Sequence, residues 1–156
     1  MSKQNSGITI YLGADHGGFK LKEMIKQFLI DQGRQVVDVG ADQLNPKDDY
    51  PDIAEKVSKA VAAEERSVGL LFCRSGGGVT VAANKVDGIR AVEARDVKSA
   101  KHAKTDNNAN IIALGADWMT LEQAKQIAAA FLDTKFNGEK RHQRRIKKIE
   151  KIEQEF

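Results

Sequence analysis

A single cysteine, Cys73, rules out an internal disulfide framework. No apolar run approaches the roughly 18 to 20 residues that cross a bilayer as a helix, which excludes a transmembrane role. Nothing near the start has the charged, apolar, small-residue order of a secretory leader, so a cytoplasmic protein is expected. Fixed-period repeats and low-complexity linkers are lacking too. Charge of one sign is scarce: 25 Lys and Arg stand against 22 Asp and Glu. Seven of those cations (Lys140, Arg141, Arg144, Arg145, Lys147, Lys148 and Lys151) fall in residues 139–156 beside four Glu, leaving the rest neutral. A surface neutral over most of its area is a poor polyanion binder, since nucleic-acid affinity needs many simultaneous phosphate contacts. What remains at 156 residues is one domain, residues 1–156, long enough for a real core.

The pattern alternates. Ile8 to Leu12 is an apolar, partly β-branched run ending in Gly13-Ala14-Asp15-His16-Gly17-Gly18, a strand entering a loop. Leu21, Met24, Ile25, Phe28 and Leu29 then follow helical spacing, and Gly33 stands where a left-handed cap is expected. Strands are expected again at Val36–Val39, Val68–Cys73, Ile89–Val92 and Asn110–Leu114. The helices between and after them are Ile53–Ala63, a run from the glycine loop through Lys85, Val97–Lys104, Leu121–Leu132 and Glu139–Glu155. Pro51 suits the first turn of its helix. Five strands alternating with helices predict an α/β fold: a doubly wound, Rossmann-like five-stranded parallel sheet with helices on both faces and a C-terminal helix. Ile146, Ile149, Ile152 and Phe156 run down one face of that last helix, which is expected to pack on something through them, a partner subunit being the candidate.

In such sheets ligands sit outside the carboxyl ends of the strands. The richest loop there is Cys73-Arg74-Ser75-Gly76-Gly77-Gly78, whose glycines leave N–H groups free at the mouth of a helix for an anion or a developing oxyanion. Its spacing is neither that of a P-loop nor G-x-G-x-x-G. Cys73 is either a base or nucleophile, helped by the helix terminus and Arg74, or a small buried hydrophobe ending a strand. Asp15 and His16 would face the same crevice; Asp15 could equally be a helix cap, whereas His16 has no such structural duty. Arg141 and Arg145, four apart, share a helical face and could grip one phosphate, or belong to a solvated basic face.

These residues form a set. Gly13-Ala14-Asp15-His16-Gly17-Gly18, Asp49-Tyr50-Pro51, Cys73-x-Ser75-Gly-x-Gly, Ala82-Ala83-Asn84-Lys85-Val86-x-Gly88-Ile89-Arg90-Ala91, Asn107-Asn108-Ala109-Asn110 and Arg141-His142-Gln143-Arg144-Arg145 occur in order. The chain resembles the B-type ribose-5-phosphate isomerases, in the wider family that includes galactose-6-phosphate and allose-6-phosphate isomerases, from about Ile8 to Ile152. The resemblance implies an aldose–ketose isomerase of a phosphorylated sugar, most simply ribose 5-phosphate to ribulose 5-phosphate in pentose phosphate metabolism. It implies a cis-enediolate, no metal and no cofactor, and sites shared between the subunits of a homodimer, alone or paired into a tetramer. By the same resemblance Cys73 carries the proton between C1 and C2, with Ser75 beside it, and the backbone of Gly76, Gly77 and Gly78 holds the enediolate oxygen. Asp15 handles hydroxyl protons, His16 and Asn107 contact sugar or phosphate, Tyr50 lines the pocket, and Arg141 with Arg145 binds phosphate.

Three positions depart from the family. Asp106 replaces a histidine that opens the furanose ring; a carboxylate is a poor acid at neutral pH unless burial raises it, and His102, one turn earlier, is either a partial substitute or a plain surface histidine, the latter preferred. Asp117 replaces a phosphate-holding arginine and is expected to repel a dianion. Arg74 replaces a small residue and either compensates as a substrate-binding cation or reshapes the pocket. These departures leave as alternatives an isomerase of a hexose phosphate or an unphosphorylated sugar, and a noncatalytic phosphosugar-binding dimer.

Overall fold

In the computed structural model, residues 7–156 are described. The strands are β1 (Thr9–Ala14), β2 (Gln35–Asp38), β3 (Ser67–Cys73), β4 (Ala91–Glu93) and β5 (Ile111–Gly115). The helices are α1 (Phe19–Asp31), α2 (Tyr50–Ala63), α3 (Gly77–Ala83), α4 (Val97–Thr105), α5 (Leu121–Asp133) and α6 (Lys140–Glu155), with one 3-10 turn at Ala116–Trp118. All five strands are parallel, in the order β2-β1-β3-β5-β4. From β1 the chain steps to one edge at β2, returns across to β3, reaches the far edge at β4 and comes back to insert β5. The strand order therefore reverses between β1 and β3, and a crevice opens above their carboxyl ends.

All seven residues of β3 are buried, as the continuous apolar run requires of a strand covered on both faces. Its alternation sends Leu70 and Phe72 to a core with α1, α4 and α5, and Leu71 and Cys73 to a second core with α2 and α3. Each fully buried Leu or Phe among these contributes about 1.5–3 kcal/mol. Helix ends follow their local chemistry. Asp96 with Ser99 and Thr120 with Gln123 form capping boxes that start α4 and α5. Gly33, at φ +75°, ends α1 with the Gly33 N–H on Ile30 O (2.9 Å) and the Arg34 N–H on Leu29 O (3.1 Å). The third helix stops at Ala83, short of Lys85, because Asn84 turns its side chain to β4 and bonds both the N–H (2.8 Å) and the carbonyl (2.9 Å) of Ala91.

Lys22 is fully buried and paired. Its Nζ donates to Asp38 Oδ2 (2.8 Å) and the Ala41 carbonyl (2.7 Å), and Glu23 lies 3.2 Å away, so α1 is fastened to the β2–α2 connection. The last helix leaves much of its apolar stripe uncovered by its own chain. Ile149 and Ile152 are about half exposed and Phe156 is fully so, and His142 is the one residue of α6 that is buried. Among the described residues no helix is long and apolar enough to cross a membrane.

Candidate active site

Cys73 ends β3 with its side chain 4% exposed, and its Sγ accepts the N–H of Gly76 at 3.0 Å. Ser75 Oγ accepts the N–H of Gly77 at 3.2 Å. The turn closes because Gly76 adopts φ +83°, where any Cβ would also stand 3.1 Å from Glu93 Cγ and 3.3 Å from Gly115 N. Outside the turn, the loop after β5 takes the carbonyls: the Asp117 N–H bonds Arg74 O and the Trp118 indole N–H bonds Ser75 O, both at 2.9 Å. With those carbonyls held by the neighbouring loop, the Gly76 N–H turns to the cysteine and the Gly77 N–H to Ser75, at the start of α3. The Tyr50 ring covers Gly78, with Cζ 2.7 Å from where a Cβ there would be.

The β1 loop closes over the same place. Asp15 is 7% exposed, donates its N–H to Phe72 O (3.3 Å) and accepts the Gly18 N–H at Oδ1 (3.1 Å). Gly18, not Asp15, is the N-cap of α1, so the carboxylate braces the loop and does not cap the helix directly. His16 is held at two points by one atom: its backbone N–H (3.0 Å) and ring Nδ1 (2.8 Å) both meet Asp48 Oδ1. That bond raises the His16 pKa above the ordinary imidazole range; desolvation opposes it, the Asp15 and Asp48 charges add to it, and Arg74 works against it. Asp48 Oδ2 is buried without a partner among the described residues.

Asp117 does not stand as an isolated negative charge. Arg74 Nε bonds Asp117 Oδ2 at 3.1 Å, so the two departures from the family pattern face and neutralise each other. The expected repulsion of a dianion is thereby reduced. Both side chains are exposed, and such a pair adds only about 0–1 kcal/mol to stability. Its effect is on placement, since the Arg74 stem lies over Gly17, where a Cβ would meet Arg74 Cγ at 2.2 Å.

The remaining candidates lie elsewhere. Asp106 caps α4, and Asn107 supplies its carbonyl to Arg90 Nε at 3.0 Å, just before β4. Asn137 N–H bonds Thr105 O (3.2 Å) and Gly88 N–H bonds Glu153 (2.9 Å), which lays α6, with Arg141 and Arg145, along the amino edge of the sheet. Cys73 is at the carboxyl edge, about 13 Å away along the five residues of β5 at ~3.3 Å each. Asp106, Asn107, Arg141 and Arg145 therefore do not join Cys73 within one chain. Asp106 is also no acid: the Thr105 hydroxyl holds its carboxyl below the usual range, against slight desolvation, with His102 at 3.4 Å assisting. His102 is exposed and spent on that contact. Arg141 pairs with Glu139 at 2.8 Å. An open groove of about 620 Å³ runs past Asn107, bordered by Arg90, Asn84, Ile149, Ile152 and Phe156.

Two residues of the carboxyl edge escape a reading of the sequence. Asp48 meets His16 across 32 positions, a contact that no local spacing announces. Trp118 had a signal, being the sole tryptophan and directly after a strand. Asp15, His16 and Asp48 bring ligand atoms within 4.8 Å of one another. Within the trio, His16 Nδ1 and Asp48 Oδ1 are bonded to each other.

Known proteins share this fold. The sequence profile of the ribose/galactose isomerase family matches residues 10–149. Ribose-5-phosphate isomerase B of Escherichia coli is 41% identical over 145 residues, 93% of this chain and 96% of that one. D-erythrulose-4-phosphate isomerase of Pectobacterium atrosepticum is 39% identical over 131 residues, 84% of this chain and 86% of that one. The crystal structure of ribose-5-phosphate isomerase B from Mycoplasma genitalium with bound ribulose 5-phosphate superposes with a TM-score of 0.87 at 37% identity, covering 96% of this chain and 98% of that one. With the catalytic-loop geometry, the sheet order and these matches in agreement, the chain belongs to the ribose/galactose isomerase family.

Proposed function

We propose that the protein interconverts ribose 5-phosphate and ribulose 5-phosphate through a cis-enediolate, in the cytoplasm and without cofactor or metal. The observation that carries this reading is Cys73 at the end of β3, its Sγ on the Gly76 N–H and the Asp15–His16 loop folded over it. In this reading Cys73 moves the proton between C1 and C2. Ser75 supports it, and the N–H groups of Gly76–Gly78 meet the oxygen on which charge develops, donors already fixed before the reaction. Asp15 takes hydroxyl protons and Tyr50 closes the wall beside Gly78. His16 faces the sugar.

Phosphate binding is assigned to a second copy of the chain. Arg141 and Arg145 share a face of α6 with the exposed Ile149, Ile152 and Phe156, so a partner seated on that apolar stripe would receive both guanidinium groups at its own crevice. Asp106 and Asn107 would come from the same side, Asp106 as an acceptor. Replacing Arg141 and Arg145 by alanine is expected to raise KM for the phosphorylated sugar by about 10- to 100-fold per charge-assisted contact, with kcat changed far less. An unaltered KM would return α6 to a solvated basic face.

The substrate is tested by following proton exchange at C2 with pentose, hexose and tetrose phosphates. Fastest exchange with ribose 5-phosphate supports the proposal. A four-carbon substrate is the second reading: Arg74, braced by Asp117, adds bulk at the crevice mouth, which favours a shorter sugar. Binding without exchange would instead indicate a noncatalytic phosphosugar-binding dimer.

A further inference from the structure

The furanose form of an aldopentose phosphate is a hemiacetal, and its C2 proton cannot be moved until the ring opens. Opening breaks the C1–O4 bond, forms the C1=O bond, puts a proton on O4 and removes one from the C1 hydroxyl. Near neutrality this needs an acid and a base placed together. At the carboxyl edge of the sheet the polar side chains include Asp15, Asp48 and Asp117, and carboxylates as a class accept protons there. Arg74 keeps its proton. Histidine is the residue type of this set that both gives and takes one near pH 7.

The geometry singles out His16. It follows Asp15 directly, on the loop whose Gly18 packs against Phe72 and Cys73. Its backbone N–H and ring Nδ1 both meet Asp48 Oδ1, at 3.0 and 2.8 Å, which fixes the loop and the ring together. In the imidazolium, Nδ1–H is thereby committed to Asp48 and Nε2–H is the proton left to give. Asp48 Oδ2 is buried and, among the described residues, meets no donor that would draw the carboxylate away from the ring.

Resting on the isomerase reading above, we infer that His16 opens the sugar ring, Nε2–H giving its proton to O4 while the Asp15 carboxylate takes that of the C1 hydroxyl, and that Asp48 is the positioning residue for this step. Solvent then returns a proton to His16 and removes the one on Asp15. The charged groups facing His16 are Asp15 and Asp48, which hold its proton to higher pH, and Arg74, which opposes them. The Asp48 bond is the largest of these influences, so the imidazolium persists to higher pH than in a free histidine.

Ribulose 5-phosphate provides the test, because its C5 oxygen is esterified and the ketose cannot close a five-membered ring. Two rates are measured on the full-length protein: turnover of ribose 5-phosphate, and exchange of a C1 proton of ribulose 5-phosphate with deuterated water by NMR. His16→Gln is expected to lower turnover about tenfold or more beyond any loss of exchange. Equal losses in the two rates would overturn the assignment, and exchange by the same preparation reports that the variant is folded. Asp48→Asn is expected to move the descending, high-pH limb of the kcat/KM profile for ribose 5-phosphate to lower pH, with no matching movement in the exchange profile. A limb that stays in place, or moves equally in both, overturns the role given to Asp48. Wild-type protein showing neither rate would remove the isomerase reading and this inference with it, whereas wild-type exchange with equal His16→Gln losses removes the inference alone.

Discussion

Replacing Cys73 by alanine is expected to lower C2 proton exchange by about 10²- to 10⁴-fold, the span of a lost general base, while KM moves little. The reason is local. On the proposed mechanism the sulfur is the base, and the Gly76 N–H holds it at 3.0 Å beside the turn assigned the oxyanion donors. Alanine removes the acceptor and leaves those donors, the Tyr50 wall and the Asp15 loop in place, so sugar still binds. Cys73 also sits in the core beside Val79 and Ala83, where alanine leaves only a small void. Exchange measured with saturating sugar separates the two quantities. Turnover near the wild-type value would move the base away from Cys73.

The largest stability change is expected from Asp38→Asn, about 3–5 kcal/mol, because the substitution strips the carboxylate from a buried ammonium. Lys22 has no exposed surface, and of its partners only Asp38 brings a charge that is itself nearly covered; Glu23 is 41% exposed. Lys26, at 3.1 Å, loses the same partner. The loss is read as a lowered midpoint in urea or heat. Acid gives a second readout. Burial alone would raise the Asp38 pKa, but the bonds from Lys22, the Gly40 N–H and Lys26 outweigh it and hold the group below the ordinary range. A depressed carboxyl contributes stability above its unfolded pKa near 4 and loses it as pH falls through the folded value. Wild-type protein should therefore lose stability below about pH 4 more steeply than Asp38→Asn does. Parallel curves would remove Asp38 from that account.

The fold was legible in the sequence where one physical cause dominates. Val68 to Cys73 reads as a strand because nothing but burial on both faces explains six apolar or small residues in a row. Pro51 and Gly33 mark helix ends through their own dihedral limits. The fourth strand is displaced from Ile89–Val92 to Ala91–Glu93 because Ile89, though apolar and buried, belongs to the turn in which its N–H bonds Val86 O at 3.2 Å. Strand order was not legible, and with it went the pairing of Arg74 with Asp117, 43 positions apart, which requires β3 and β5 to be neighbours. The carboxyl-edge rule gathered Cys73, Asp15 and His16. Asp106 and Asn107, which the resemblance offered for the same site, precede β5 at the opposite edge. For α6, periodicity told which face is apolar and could not tell what covers it.

The division of Cys73 and Arg141 between opposite edges of the sheet has a genetic meaning. On the proposed two-subunit site, each chain lends its base to one crevice and its phosphate grip to the other. A chain carrying Cys73→Ala paired with one carrying Arg141→Ala and Arg145→Ala makes one crevice with both defects and one with neither. Two impaired proteins, unfolded and refolded together, would recover about a quarter of the wild-type complement of intact sites under random two-fold pairing. Alleles disabled in either half would complement each other.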